Sequence, residues 1–382
     1  MTRVDRRPAP LPPAPRLALL ALGGASLLAG LLGALTLLGF PGPGPAGRLA
    51  GAHGMLMPMG FLGTLIALER AVAFGRPWGY VAPAAAGLAG LALIAGAPPI
   101  VATSLLLAAA LVYLALYAVF VRMDGAIHTW VQAMGAVGWL CAAAMLQAGR
   151  PVGDVVPALA VLLILTIAGE RLELARLVRL TGAAKALFLL AAGAFTTGAA
   201  LASASALAGL GSGPGLRIAG AGLLGLAVWL ARFDVARRTV RLPGVTRYIA
   251  VCLLAGYVWL AVGGAAWLAF GAGAGPLERD AMLHALFLGF VMSMVFGHAP
   301  VILPAVLRVP LPWHRWFYGH LALLHAGLLV RVGGDLAGVT GAWQLGGVLT
   351  VTAVLLFVAA SAGSSVVATM AMRRTIRRLA VR

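Results

Sequence analysis

The chain has 382 residues, of which 62% are hydrophobic and 10% charged, and its formal net charge is +18. A soluble domain has about half apolar and about a quarter charged residues, so a soluble protein of this length could not bury so much apolar surface. Despite the basic excess, the composition excludes nucleic-acid binding, because the basic residues are expected in short loops at one membrane face. The sequence predicts an all-α polytopic integral membrane protein whose main partner is the lipid bilayer.

The apolar segments define the predicted spans. A helix needs about 20 apolar residues to cross a bilayer core. Twelve segments meet this requirement, near residues 17–40, 50–69, 80–97, 100–121, 128–148, 154–170, 184–209, 216–231, 247–272, 280–307, 314–331 and 340–365. We therefore expect three regions, which are a cytoplasmic N-terminal tail at 1–16, a single transmembrane domain at 17–365 and a basic cytoplasmic C-terminal tail at 366–382.

The distribution of basic residues predicts the orientation, since cytoplasmic loops are enriched in Lys and Arg. With the N-terminus inside, nearly all basic residues fall in inner loops or tails. The basic residues that fall on the outer side are Arg48, Arg150, Arg217, Arg279 and Arg331. This asymmetry predicts a multi-pass protein of the bacterial cytoplasmic (inner) membrane with both termini in the cytoplasm.

The carboxylates give little indication of function. Glu69 and Glu170 each precede an arginine at a predicted cytoplasmic helix end, which favours interfacial ion pairs over proton relays. Asp280 and Asp335 are expected at or near loops. No carboxylate is predicted at the middle of the membrane, which weakens a proton- or sodium-coupled transport function.

Histidines inside the predicted spans are the most informative residues, because ionisable groups at membrane depth are functional candidates. His53, His284 and His325 are expected about 5–9 Å below the outer boundary at about 1.5 Å per helical residue. His298 and His320 lie closer to the inner side and could form a second pair. Neutral imidazole is a common ligand of transition metals and of haem iron. The alternative is that each histidine hydrogen-bonds to a neighbouring helix.

Two other features accompany these histidines. Met55, Met57 and Met59 follow His53 and could supply soft copper ligands, although methionine at such positions more often packs in a core. Two prolines, at positions 300 and 304, are expected to kink or break span ten and to free backbone carbonyls near His298.

Two short stretches resemble a known family. The segment Ala52-His53-Gly54-Met55-Leu56-Met57 resembles the second helix of subunit I of the haem-copper oxidases and nitric oxide reductases, and His284 through Gly297 resembles its tenth helix. The resemblance implies a haem-copper-oxidase-like helix bundle in which His53 and His284 are the axial ligands of one haem. Spans six and seven, which supply the copper ligands in that family, contain no histidine here. An oxygen-reducing binuclear centre is therefore not implied.

The chain also resembles the NnrS-type membrane proteins, a twelve-span, haem- and copper-containing group associated with nitric oxide stress. The shared features are the size, the short loops, the start His284-Ala285 with Gly289 of a late helix, and Gly297-His298 near its end. His53-Gly54-Met55 stands where that group has His-Glu-Met. The resemblance implies haem b, with copper as a further candidate, and nitric oxide as a ligand.

Two classes of function compete. The first is a haem- or metal-binding membrane protein of nitric oxide or respiratory redox metabolism, with turnover left open. In it, His53 and His284 bind haem, His325 is a third ligand or a hydrogen-bond partner, and His298 and His320 form a second metal or structural site. The second class is a twelve-helix secondary transporter, against which the uneven placement of the histidines counts. An accessory or assembly protein is a third alternative.

Overall fold

The computed structural model describes residues 12–380, without the side chains of 177–178 and 375–380, and its regular elements in that range are all helical. The long helices are α1 (Pro13–Leu37), α2 (Ala46–Phe74), α3 (Pro77–Ala95), α4 (Pro99–Asp124), α5 (Ile127–Gln147), α6 (Val152–Leu174), α7 (Gly182–Leu207), α8 (Gly213–Phe233), α9 (Val245–Gly273), α10 (Pro276–Leu307), α11 (Phe317–Ala337) and α12 (Thr340–Ala380). Each corresponds to one predicted span.

Among the described residues, 11 of these helices are long and apolar enough to cross a membrane. The prediction of a polytopic helical protein is confirmed at this level. The remaining helix, α11, has the necessary length of 21 residues. Its apolar character is lower because His320, His325 and Arg331 lie within it, so the predicted count of twelve spans stays a prediction.

Helical structure extends into both predicted tails where the structure describes them. Residues 1–11 of the predicted N-terminal tail lie outside the described residues, and α1 begins at Pro13, so that Arg16 is a buried helical residue. At the other end, α12 continues to Ala380 and does not stop at residue 365.

The chain divides into two compact units, Met1–Glu170 and Arg171–Arg382, of which the first contains α1–α5 and most of α6, and the second contains the end of α6 and α7–α12. In unit 1, α1 packs against α2 and α3, and α4 packs against α3 and α5. In unit 2, α9 packs against α8 and α10, and α11 packs against α10 and α12. The predicted single transmembrane domain stays a prediction.

One helix in each unit contains a π-helical segment, in which backbone hydrogen bonds run from residue i to i+5. The segments are Leu56–Gly63 in α2 and Ala285–Met292 in α10. The two prolines of span ten, which were expected to kink or break it, do not break it, because the α-helical part Ser293–Leu307 runs through both of them. The irregular backbone lies instead directly after His284.

The two π-helical segments have matching neighbours. In unit 1, Gly23 of α1 lies against Thr64, since a Cβ placed on this glycine would be 3.4 Å from Thr64 Cβ. In unit 2, Gly256 of α9 lies against Ser293 in the same way, at 3.3 Å from Ser293 Cβ.

Two further pairs repeat the correspondence. Seven residues later, Gly30 faces Met57 and Gly263 faces Leu286. Three residues after Gly23 and after Gly256, Ser26 and Trp259 lie against Gly60 and Gly289, respectively. The pair α1–α2 is therefore repeated structurally by the pair α9–α10.

The end of each π-helical segment is closed by a hydroxyl group. Thr64 Oγ1 donates a hydrogen bond of 2.7 Å to the carbonyl of Gly60, and Ser293 Oγ donates one of 2.6 Å to the carbonyl of Gly289. A transition from π- to α-helical hydrogen bonding leaves a carbonyl poorly paired, and a serine or threonine four residues later can satisfy it.

Candidate functional site

His53 is held by the neighbouring helix of its unit. It lies in α2, three residues before the π-helical segment, and its Nδ1 donates a hydrogen bond of 2.8 Å to the carbonyl of Gly30 in α1. In a neutral imidazole this bond places the proton on Nδ1 and the lone pair on Nε2. Metal-ligating histidines have the same arrangement, in which the second ring nitrogen is held by a backbone carbonyl or a carboxylate.

His284 is oriented by groups of its own helix. Its Nδ1 donates to the carbonyl of Asp280 at 2.9 Å and lies 3.2 Å from Asp280 Oδ1. Asp280 in turn accepts two hydrogen bonds from Arg331, from Nε at 2.8 Å and from Nη2 at 2.9 Å, and a weaker one from Trp343 Nε1 at 3.3 Å. The imidazole, carboxylate and guanidinium groups form a chain that fixes the ring and its tautomer.

His325 has the opposite tautomer. Trp259 Nε1 donates a hydrogen bond of 2.9 Å to His325 Nδ1. A neutral imidazole that accepts at Nδ1 carries its proton on Nε2, and this buried Nε2 has no hydrogen-bond partner in the described part of the chain. The geometry therefore makes His325 a hydrogen-bond donor through Nε2.

The Arg331–Asp280 pair also sets the register of α10 and α11. His284 lies four residues after Asp280, and His325 lies six residues before Arg331. Because these consecutive helices run in opposite directions, both histidines lie on the same side of the ion pair, at about 6 Å and about 9 Å along their helices. His284 and His325 are therefore at nearly the same level within unit 2.

His298 and His320 have different surroundings. His298 Nδ1 donates to the Met294 carbonyl of its own helix at 2.7 Å. His320 is 2% exposed, and its ring lies 4.9 Å from that of Phe296 and 5.5 Å from that of Phe357. Phe296, which packs against the His320 ring, lies two residues before His298 in α10.

Several carboxylates pair with arginines, although not always with the adjacent one. Arg70 binds both Glu69 and Glu170, which supports the ion pairs expected from the sequence and brings α2 and α6 together in unit 1. In unit 2, Arg171 lies 4.0 Å from Asp234. Asp280 and Asp335, which were expected at or near loops, lie near helix ends, at the fifth residue of α10 and two residues before the end of α11.

The two tryptophans that contact the site were not predicted from the sequence. Trp259 and Trp343 look like ordinary apolar residues of their spans, and each is more than 60 positions from its partner along the chain. A local signal existed for the π-helical segments, since Gly60-Phe61 followed by Thr64 has the same spacing as Gly289-Phe290 followed by Ser293.

Known proteins provide a family but no function. A family model described as a domain of unknown function, DUF8744, matches residues 16–366. No curated protein and no solved structure is significantly similar to the chain. Among the described residues, no group of three or more His, Cys, Asp or Glu side chains is arranged to hold a metal ion.

Proposed function

Because the chain belongs to the DUF8744 family, whose description names no activity, we propose its function from its own side chains: it is an integral membrane haem-binding protein. His53 and His284 are the proposed iron ligands. The observation that carries the proposal is the Nδ1–H hydrogen bond of each histidine to a backbone carbonyl, at 2.8 Å and 2.9 Å. This bond selects the tautomer whose Nε2 can bind iron.

The surroundings of His284 favour a ligand role over a structural one. A histidine that only fills an apolar core does not need a carboxylate on Nδ1, whereas a carboxylate there increases the basicity of the imidazole as a ligand. Asp280 is itself fixed by two hydrogen bonds from Arg331. We expect the hydrogen bonds from Arg331 to Asp280 and from His284 to Asp280 to hold the imidazole in one orientation. The negative charge of the Asp280 carboxylate would favour the oxidised state of a bound iron.

His325 has a separate role in this proposal. Of the two alternatives that the sequence left open, the Trp259 hydrogen bond favours a donor over a third ligand, because Nε2 carries the proton. His325 lies at nearly the level of His284. Its N–H would donate to an acceptor atom of the cofactor or of a small bound ligand.

Haem iron, when bound, supplies one-electron chemistry and coordination of diatomic gases. The link to nitric oxide or respiratory redox metabolism rests on the resemblance of the second and tenth spans to the haem-copper oxidases and to the NnrS-type proteins. Haem b, a bacterial inner-membrane location with cytoplasmic termini, and a copper or structural site at His298 and His320 belong to the same proposal. Binding of a gas and turnover are both compatible with it.

Optical spectroscopy of the detergent-purified protein tests the proposal. We expect a Soret band that shifts on reduction with dithionite and sharp visible bands in the reduced state, with iron present in the same sample. The variants His53→Ala and His284→Ala should each lose the six-coordinate spectrum. If one variant loses it and the other keeps it, the two histidines do not serve one iron.

The matched control is His314→Ala, because His314 lies outside the helices that carry the proposed ligands and stacks only on aromatic rings in the described structure. Its haem content should equal that of the wild type. A colourless wild-type protein without iron, even after expression with a haem precursor, would reject haem binding. If haem is present, titration of the reduced protein with nitric oxide tests gas binding.

A secondary transporter is the second candidate, and the repeated π-helical segments favour it. Transporters often place irregular, Gly- or Pro-interrupted helix segments at corresponding positions of two repeats, where the substrate binds. Leu56–Gly63 contains a proline and two glycines, and Ala285–Met292 contains one glycine. A colourless protein whose apparent melting temperature rises with one class of solute in a ligand screen would support this candidate.

A further inference from the structure

The last helix of unit 2, α12, is longer than a bilayer core requires. It has 41 residues, from Thr340 to Ala380, which corresponds to about 60 Å at about 1.5 Å per residue. The hydrocarbon core of a bilayer is about 30 Å thick, and a helix tilted by about 40° crosses it within about 40 Å. Part of α12 therefore lies outside the core.

The packing of α12 on α11 shows which end extends further. These consecutive helices are antiparallel, and the backbone of Gly334 in α11 is in close contact with that of Trp343 in α12. Phe317 is the first residue of α11 and lies 17 positions before Gly334, so it lies beside the residue 17 positions after Trp343, which is Ala360. The C-terminal part of α12 after Ala360 extends beyond α11.

The packing on α10, which runs parallel to α12, gives the same result for the second neighbour. The ring of Phe296 in α10 stacks on that of Phe357 in α12, with centroids 4.2 Å apart. Leu307, the last residue of α10, is 11 positions after Phe296, and Ala368 is 11 positions after Phe357. Residues 369–380, the C-terminal extension of α12, therefore continue beyond the ends of both α10 and α11 in unit 2.

The C-terminal extension is basic. Arg373 and Arg374 are exposed, and neither has an ion-pair or hydrogen-bond partner among the described residues. Arg377 and Arg378 follow one helical turn later in the sequence, and no acidic residue occurs after Asp335. Like charges four residues apart repel each other in a helix, and bound anions would remove this repulsion.

Apolar side chains surround the start of this basic segment. Val366, Val367, Met370 and Met372 are 50% to 68% exposed. We expect these side chains to contact acyl chains, which places the arginines that follow them at the level of the lipid headgroups. A guanidinium group can bind two phosphate oxygens at once, and basic segments next to a membrane helix attract anionic lipids.

We propose that the C-terminal extension of α12 is a binding site for the headgroups of anionic phospholipids. Arg373 and Arg374 bind the phosphate diester, and the apolar side chains before them hold the helix against the acyl chains. Lipids with a net negative headgroup bind more strongly than zwitterionic ones, because no cation of the lipid opposes the arginines. The site contains none of the proposed haem ligands, so it does not depend on haem.

Native mass spectrometry of the full-length protein tests the site. The protein is purified in a non-ionic detergent and mixed with equal amounts of phosphatidylglycerol and phosphatidylcholine that have the same acyl chains. The wild type should retain phosphatidylglycerol in preference. The double variant Arg373→Gln with Arg374→Gln should bind phosphatidylglycerol about tenfold more weakly, because each basic residue near a membrane surface contributes to the attraction. Both side chains are exposed, so the variant should fold and elute like the wild type in gel filtration.

The matched control is the double variant Arg237→Gln with Arg238→Gln, which also removes two adjacent exposed arginines of unit 2 from a predicted cytoplasmic segment. It should bind phosphatidylglycerol as the wild type does. Equal weakening in both variants would overturn the proposal, since net charge and not α12 would then attract the lipid. Equal retention of the two lipids by the wild type would also overturn it. A dimer that is lost only in the Arg373 and Arg374 variant would identify a second copy of the chain as the partner instead.

Discussion

The two π-helical helices of the molecule, α2 in unit 1 and α10 in unit 2, share a backbone design and differ in where their charges lie. Both have a glycine-rich partner helix and a hydroxyl group that closes the π-helical segment. In α2, the charged pair Glu69–Arg70 follows the segment, whereas in α10 Asp280 precedes it. The repeated backbone therefore acts as a scaffold, and the chemistry is specific to each copy.

This difference indicates how a candidate site can be distinguished from architecture. Features that occur in both copies, such as the close glycine contacts, are explained by packing of helices with small residues. Features that occur in one copy, such as the link from His284 through Asp280 to Arg331, need a separate reason.

The largest expected effect comes from removing the arginine that is specific to α11. Arg331→Ala leaves Asp280 without its two charged hydrogen bonds. Breaking a fully buried ion pair costs about 3–5 kcal/mol, and because the Asp280 side chain is 22% exposed the cost here lies at the lower end of that range. We expect a loss of about 3 kcal/mol in the free energy of unfolding, measured by denaturant titration in detergent micelles.

The double variant Arg331→Ala with Asp280→Asn is the control for this prediction. It removes the uncompensated charge, so it should regain part of the lost stability. An equal loss in both proteins would mean that packing of the Arg331 side chain, and not its charge, is what stabilises unit 2.

Removal of the hydroxyl group that closes either π-helical segment should lower the stability by a smaller amount, which should be similar in the two segments. Thr64→Val and Ser293→Ala each remove a buried hydrogen bond to a glycine carbonyl, and such a bond contributes about 1 kcal/mol to stability. The two losses should agree within about 0.5 kcal/mol if the two segments are structurally equivalent.

The variants Thr64→Ser and Ser293→Thr keep the hydroxyl group and should keep most of the stability. A loss at one position only, measured by the same unfolding titration, would contradict the equivalence of the two segments. Only one of the two π-helical segments would then depend on its hydroxyl group for stability.

How far the sequence predicted this structure depended on whether the signal was local. The spans followed from hydropathy, and the boundary near Ala97-Pro98-Pro99 agrees with the end of α3 at Ala95 and the start of α4 at Pro99. The continuation of α12 to Ala380 was missed because an arginine-rich end looks like a loop, although alanine, methionine and arginine all favour helices.

The π-helical segments and the candidate site were harder to predict. The segments Leu56–Gly63 and Ala285–Met292 are apolar on all sides, so no periodic pattern distinguishes i+5 from i+4 hydrogen bonding. The positions of His53 and His284 were visible, but their hydrogen bonds were not. The burial of Asp335 depends on packing between helices, which the residues beside it in sequence do not encode.

The smallest expected effect is a difference in stability between alanine variants of Gly23 and Gly256, the glycines that lie against Thr64 and Ser293. In Gly23→Ala the new Cβ would lie 3.4 Å from Thr64 Cβ, an ordinary contact, so the loss of stability should be negligible. In Gly256→Ala it would lie 2.5 Å from Met294 Cε and 3.4 Å from the carbonyl oxygen of Phe290. Methionine adapts readily, so we expect a cost below about 1 kcal/mol.

The thermal midpoints of the two variants in the same detergent provide the measurement, and Gly24→Ala is the control, because no heavy atom lies within 4 Å of a Cβ at Gly24. An equal cost at Gly23 and Gly256 would contradict the difference. If Gly256→Ala is the less stable, α9 and α10 are packed more tightly than α1 and α2. The tighter pair is then the one that carries Trp259, which donates to His325, and the proposed ligand His284, and a rigid backbone would keep both side chains in place.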